Sequence, residues 1–257
     1  MPIVTEITVN NEMSGLSQIV DPELEEMMKA GIHMGHAKSK NNPAMQPYIF
    51  GVRNTISIID ITKTQEKLGI ALNFVKNSVA GGGMVLFVGT RPAAKKIVKE
   101  IAEKSAMPYF VDRWIGGTLT NFKVIHKRVE YMEELEREKS SGEFEKYTKR
   151  ERMKKEEEIV RMKKMFDGLR PLKRLPDALF IVDIIEDSTA VREARRLKIP
   201  IVALCDTNSN ADLVNYPIPS NDDALPAVRY MVGKIGEAVE EGLKVRELPK
   251  VVEEKKE

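Results

Sequence analysis

Residues 113–121, Arg-Trp-Ile-Gly-Gly-Thr-Leu-Thr-Asn, put two glycines, two threonines and an asparagine directly ahead of a long charged segment. Glycine-rich loops that open helices present backbone N–H groups and the positive end of the helix dipole to a phosphate. Nucleotide chemistry needs more than that. A dinucleotide fingerprint requires a third glycine, which this loop lacks. In the second glycine loop, Gly89 to Lys96, Ala94 stands where a P-loop has its second glycine, and Lys96 replaces the hydroxyl that would hold magnesium. Neither loop has the spacing of a nucleotide cradle.

Asp60, Asp183 and Asp206 stand at or near the ends of apolar runs, with Asp187 one turn beyond Asp183. Carboxylates gathered at one sheet edge can bind a divalent metal or do acid–base work, whereas strand-end aspartates often just cap the next helix. Capping is the plainer reading. The sharper one gives Asp183, Asp187 and Asp206 a structural divalent cation, or makes them the centre of a metal-dependent enzyme or sensor. His33 and His36 are spaced to chelate zinc, but no third or fourth ligand accompanies them at zinc-site spacing, and packing or phosphate contact fits them better. His126 stands at the base of the charged segment, and Cys205, the single cysteine, lies in an apolar run. Nucleophile, cofactor loop and metal cluster are all missing together, so neither an enzyme nor a cofactor is expected.

What remains is cations and amides near loops. One group holds His36, Lys38, Lys40, Asn41, Asn42, Gln46, Arg53 and Asn54; a second holds Arg91, Lys95 and Lys96. The third holds Arg113, Thr118, Thr120, Asn121, Lys123, Lys127 and Arg128. Lys and Arg neutralise phosphate, and Asn, Thr and backbone N–H groups donate to phosphate and sugar oxygens without reading sequence. Tyr48 and Trp114 can stack on exposed bases. Lys and Arg total 41 against 39 acids, a formal charge of +2, so any affinity for nucleic acid must come from patches rather than from the whole. Separate basic loops suit docking on a folded RNA.

The elements that must position these residues alternate. Residues 1–20 are polar and unpatterned and are expected as a flexible tail. Asp21-Pro22-Glu23 begins a helix that ends at Gly31. "TISIIDI" (55–61), "GMVLFVGT" (83–90), "PYFVD" (108–112), "DALFIVDI" (177–184) and "IPIVALCD" (199–206) read as five strands. Helices run between them, the first capped by Thr62 or Thr64, with a last helix over about 222–241. Strands apolar on both faces and separated by helices make a parallel sheet covered on both sides. From about 122 to 169 the pattern changes to Lys, Arg and Glu around "SSGEF". Val129, Met132 and Leu135 before that turn, and Ile159, Met162, Phe166 and Leu169 after it, recur at helical spacing and predict an antiparallel coiled-coil hairpin. The expected organisation is an α/β core over 21–112 and 171–245, the hairpin inserted over 113–170, and a charged tail over 246–257. No apolar span of about 18 residues and no signal-like start are present. A cytoplasmic protein without a membrane segment is expected.

"GIHMGHAKSKNNPAMQPYIFGVRNTISIIDITKT" (31–64), "FVGTRPAA" (87–94), "RWIGGTLTNF" (113–122), "LPDALFIVD" (175–183), "EARRLKIPIVALCDTNSN" (193–210) and "YPIPSNDDA" (216–224) together resemble, in collinear order, the bacterial small-subunit ribosomal protein S-two family. The resemblance implies a flavodoxin-like parallel sheet with an inserted coiled-coil hairpin. It further implies a structural, non-catalytic protein of the ribosome, contacting 16S ribosomal RNA between head and body and not acting as a homo-oligomer. Neighbouring small-subunit proteins, including the messenger-binding protein S-one that it helps recruit, are the implied partners. Carried onto matching positions, the RNA-facing residues are His36, Lys38, Arg53, Arg91, Arg113, Thr118, Thr120 and Asn121.

Overall fold

A computed structural model describes residues 21–247, so the expected tail over 1–20 and most of that over 246–257 lie outside the described residues. Asp21 accepts a hydrogen bond from the Glu23 N–H and opens α1 (Pro22–Lys29), and Gly31, at φ +76°, follows its end. The chain continues through β1 (Met34–Ala37), β2 (Ile49–Arg53) and β3 (Ile56–Ile59) to α2 (Ile61–Ala80). It then runs through β4 (Val85–Val88), α3 (Pro92–Lys104), β5 (Tyr109–Phe110), α4 (Phe122–Ser140) and α5 (Lys149–Phe166). The last elements are β6 (Ala178–Ile181), α6 (Ser188–Arg196), β7 (Ile201–Cys205), β8 (Tyr216–Pro219) and α7 (Leu225–Glu247).

Five strands form the parallel sheet in the order β5-β4-β6-β7-β8. Counted along the sheet's own strands this is 2-1-3-4-5, the flavodoxin-like order. Its membership differs from the sequence expectation at one place. "TISIIDI" leaves it and pairs as β3 with β1 and β2 in a separate antiparallel sheet of order β1-β3-β2. Those two partners are short and interrupted by Gly35 and Gly51, which hid them. The vacated position goes to β8, which reads as a loop because Pro217 and Pro219 cannot donate to a ladder. Proline is tolerated there because β8 is an edge strand, paired only with β7.

Alternate residues of the sheet face opposite layers. Val85, Phe87, Phe180, Val182, Val202 and Leu204 pack against α2, α3 and α7, while Leu86, Val88, Leu179, Ile181 and Ala203 pack toward α6 and the start of the charged helices. The glycines of α7 let it lie close to its neighbours. A Cβ on Gly242 would stand 2.8 Å from the Lys76 carbonyl and the Val79 Cβ of α2, and one on Gly236 would stand 2.5 Å from Ile101 of α3. In α4 and α5, Val129, Met132, Leu135, Ile159, Met162 and Phe166 are buried in a seam continuous with the second layer. Lys139–Glu156 (2.9 Å), Lys155–Glu138 (3.0 Å) and Lys163–Glu136 (2.5 Å) set the two helices antiparallel. Gly142, at φ +79°, makes the turn, and Thr148 and Glu151 form a capping box on α5.

Two end assignments shift. Asp60, not Thr62 or Thr64, caps α2 by accepting from the Thr62 N–H at 3.1 Å, and the Thr64 hydroxyl donates to the Pro219 carbonyl instead. α7 starts at Leu225 rather than Asp222 and continues to Glu247. The small sheet leaves an apolar face outward. Phe50 (80% exposed), Val52 and Met34 stand on it beside Met28 of α1, with Ile56 and Ile58 half-buried among them.

Candidate nucleic-acid interface

The glycine loop before α4 is already occupied by a carboxylate of the chain itself. Glu193, on the inward side of α6, accepts from the Gly117 N–H (2.7 Å), the Leu119 and Thr120 N–H groups (3.0 and 3.1 Å), the Thr120 hydroxyl (3.1 Å) and the Trp114 indole N–H (3.1 Å). Burial works against its ionisation. The donors at Thr120, Gly117, Trp114 and Leu119 outweigh that and hold the carboxyl below its usual range. The expectation that backbone N–H groups of this loop donate to RNA phosphate is corrected for three of them, at Gly117, Leu119 and Thr120, which already face an anion. Trp114 is buried against Phe110, its N–H committed, and offers no ring for stacking. Thr118 is buried and donates to the Ile115 carbonyl, so it too leaves the interface. Asn121 takes the N-cap position of α4 without a side-chain cap bond and is exposed, as are Arg113, Thr120, Lys123, Lys127 and Arg128.

Of the second basic group, Arg91 turns into an acidic pocket at the carboxyl ends of β4, β6 and β7. Arg91 pairs with Asp183 and Asp223 and lies 3.3 Å from Asp222, which fixes its guanidinium internally rather than on a phosphate. Desolvation pulls its pKa down, and the charges of Asp222 and Asp183 more than restore it. Lys95 is drawn to Asp112 at 3.1 Å. Asp183 also accepts from the Ile185 and Glu186 N–H groups, and Asp187 accepts from the Thr90 hydroxyl at 3.0 Å. Burial pushes Asp187 up to about 7, and burial together with Asp183 and Asp206 pushes Asp222 up to about 8.

His36 belongs to this pocket, not to an outward RNA face. Its Nδ1 lies 3.0 Å from Asp206 and its Nε2 3.2 Å from Asp223, while its backbone N–H donates to Thr207. One donor atom from each of His36, Asp206 and Asp223 lies within 4.8 Å of the others. The expected trio of Asp183, Asp187 and Asp206 is not the one brought together, because Arg91 and Thr90 hold the first two. His33 does not join His36 either; it lines the groove beside the apolar face of the small sheet. Cys205 is buried, and burial raises its thiol to about 12, as befits a packing residue.

In the first group, Lys38, Lys40 and Arg53 are exposed and lie outside the ion pairs found among the described residues. Asn41 and Asn42 turn inward, to Ser57 and to the Ala44 N–H, and Tyr48 is half-buried. Sequence reasoning missed Glu193, Asp222 and Asp223. The signal for Glu193 was present: an acid at helical spacing on the face otherwise made by Ala190, Val191 and Ala194 must meet a polar partner inside. Asp222 was expected to open the last helix; instead both aspartates precede it, and the Asn221 side chain accepts from the Asp223 and Ala224 N–H groups.

Comparison with known proteins falls in line with this architecture. Residues 27–242 match the family model described as ribosomal protein S2. A protein of Roseiflexus castenholzii called small ribosomal subunit protein uS2 is 46% identical over 221 residues, covering 86% of this chain and 84% of the relative. The uS2 of Chloroflexus aurantiacus is 46% identical over 225 residues (88% and 94%), and that of Thermus thermophilus 45% over 215 (84% and 84%). The matched span takes in both sheets, the charged helices and the pocket, and the chain belongs to the ribosomal protein S2 family.

Proposed function

We propose that the chain is a structural constituent of the small ribosomal subunit that holds folded ribosomal RNA through separate cationic patches and has no catalytic role. The observation that carries this is the fate of the polar groups. Among the described residues the glycine loop before α4 and the carboxylates of Asp183 and Asp187 are engaged by the chain's own side chains, while Lys38, Lys40, Arg53, Arg113, Lys123, Lys127 and Arg128 face solvent. Contact with 16S ribosomal RNA between head and body follows the family resemblance. For protein neighbours, including the messenger-binding S-one that it helps recruit, the supporting feature is the outward apolar face around Phe50. No helix among the described residues is long and apolar enough to cross a membrane.

Sedimentation of lysate at moderate salt tests the assignment. The protein is expected with the small subunit in stoichiometric amount; recovery only at the top of the gradient sinks it, and substoichiometric recovery marks a transient factor instead.

A further inference from the structure

Glu193 divides α6 into two unlike sides. Inward lie Ala190, Val191, Ala194 and the carboxylate that grips the glycine loop. Outward lie Arg192, Arg195 and Arg196, at positions i, i+3 and i+4, so their side chains rise from one patch of helix surface. All three are exposed, and exposed Lys198 follows one turn later. Arg192 donates only to Ser188 and Thr189 of its own helix, and among the described residues none of the four sits in an ion pair. Lys95, Lys139, Lys155, Lys163 and Arg170 are all matched by acids. Glu193 fixes α6, and with it the three arginines, to residues 117–120 at the head of α4.

We propose that Arg192, Arg195 and Arg196, with Lys198, form a phosphate-contacting surface for the ribosomal RNA backbone, and that the glycine loop serves this surface by anchoring α6 rather than by binding phosphate itself. The inference rests on the RNA-binding reading above. Guanidinium groups suit phosphate because their planar N–H pairs match its oxygens, and a cluster without local acids gains most from a polyanion. The exposed Asn121 amide at the head of α4 adds a neutral donor of the kind that meets sugar and phosphate oxygens. An ordinary stabilising role is also open to basic residues in a last helical turn, through the helix dipole, and it has a different signature.

The test measures binding of the full chain to transcribed 16S ribosomal RNA across a series of potassium chloride concentrations. The variants are Arg192→Gln/Arg195→Gln/Arg196→Gln and, as a charge-matched control at the start of α5, Lys149→Gln/Arg150→Gln/Arg152→Gln. Loss of three phosphate contacts lowers the slope of log affinity against log salt by about 2. The α6 variant is expected to show that drop with an unchanged melting temperature, and the control to keep the parent slope. A parent slope in the α6 variant, with only melting lowered, assigns the arginines to the helix dipole and overturns the proposal. An equal drop in the control also overturns it, by showing that net charge alone is read. A parent chain that does not bind the RNA at any salt removes the RNA reading itself.

Discussion

A single carboxylate decides what the glycine loop can do. Glu193 satisfies three backbone N–H groups, a hydroxyl and an indole N–H, which between them would otherwise be left without acceptors in a largely buried site. Replacing it by alanine removes one charge but orphans several donors, and each buried orphan costs about 1–3 kcal/mol. Glu193→Ala is therefore expected to lose about 3 kcal/mol or more in denaturant unfolding, with Glu193→Gln intermediate because its amide oxygen keeps some of the bonds. A loss under about 1 kcal/mol would show that water takes over the loop's donors. At this scale the sequence reveals residue types but not their allegiance. Arg91, His36 and Trp114 have the right chemistry for RNA, yet the first two face acids and the third lies in the core. Linear spacing cannot show this, because their partners come from residues 183, 193, 206, 222 and 223, far along the chain.

At the scale of elements, α7 is held by close approach rather than by bulk. Any side chain on Gly242 meets backbone and a Cβ of α2, neither of which can swing aside. Gly242→Val is expected to destabilise by about 1–3 kcal/mol, seen as a lower melting temperature, whereas Gly233→Ala, where an added Cβ meets nothing, should be neutral or slightly stabilising. Equal melting of the valine variant and the parent would mean that the two helices separate freely. Long periodic elements were legible: the seam residues of α4 and α5, the buried strands β4, β6 and β7, and the proline-led start of α3 follow from spacing alone. The short pieces were not. β1 and β2 carry glycines and β8 two prolines, so local preference argued against strands that tertiary pairing nevertheless imposes.

For the whole molecule, the acidic pocket gathers stretches that are far apart in sequence. His36 follows α1, Asp206 ends β7 and Asp223 precedes α7. The His36 imidazole, within reach of both Asp206 and Asp223, ties the small sheet to the main one, so its removal should be felt globally. His36→Ala is expected to give the purified chain a lower melting temperature than the parent. A variant that melts with the parent would show that the imidazole does not tie the two sheets together. Antiparallel sheets commonly keep one face polar toward water, and the small sheet does not. Its bare flank of Phe50, Val52 and Met34 makes solitude costly: two unassembled copies have the same greasy surface to offer each other. Unassembled chain is therefore expected to associate with itself more readily as its concentration rises.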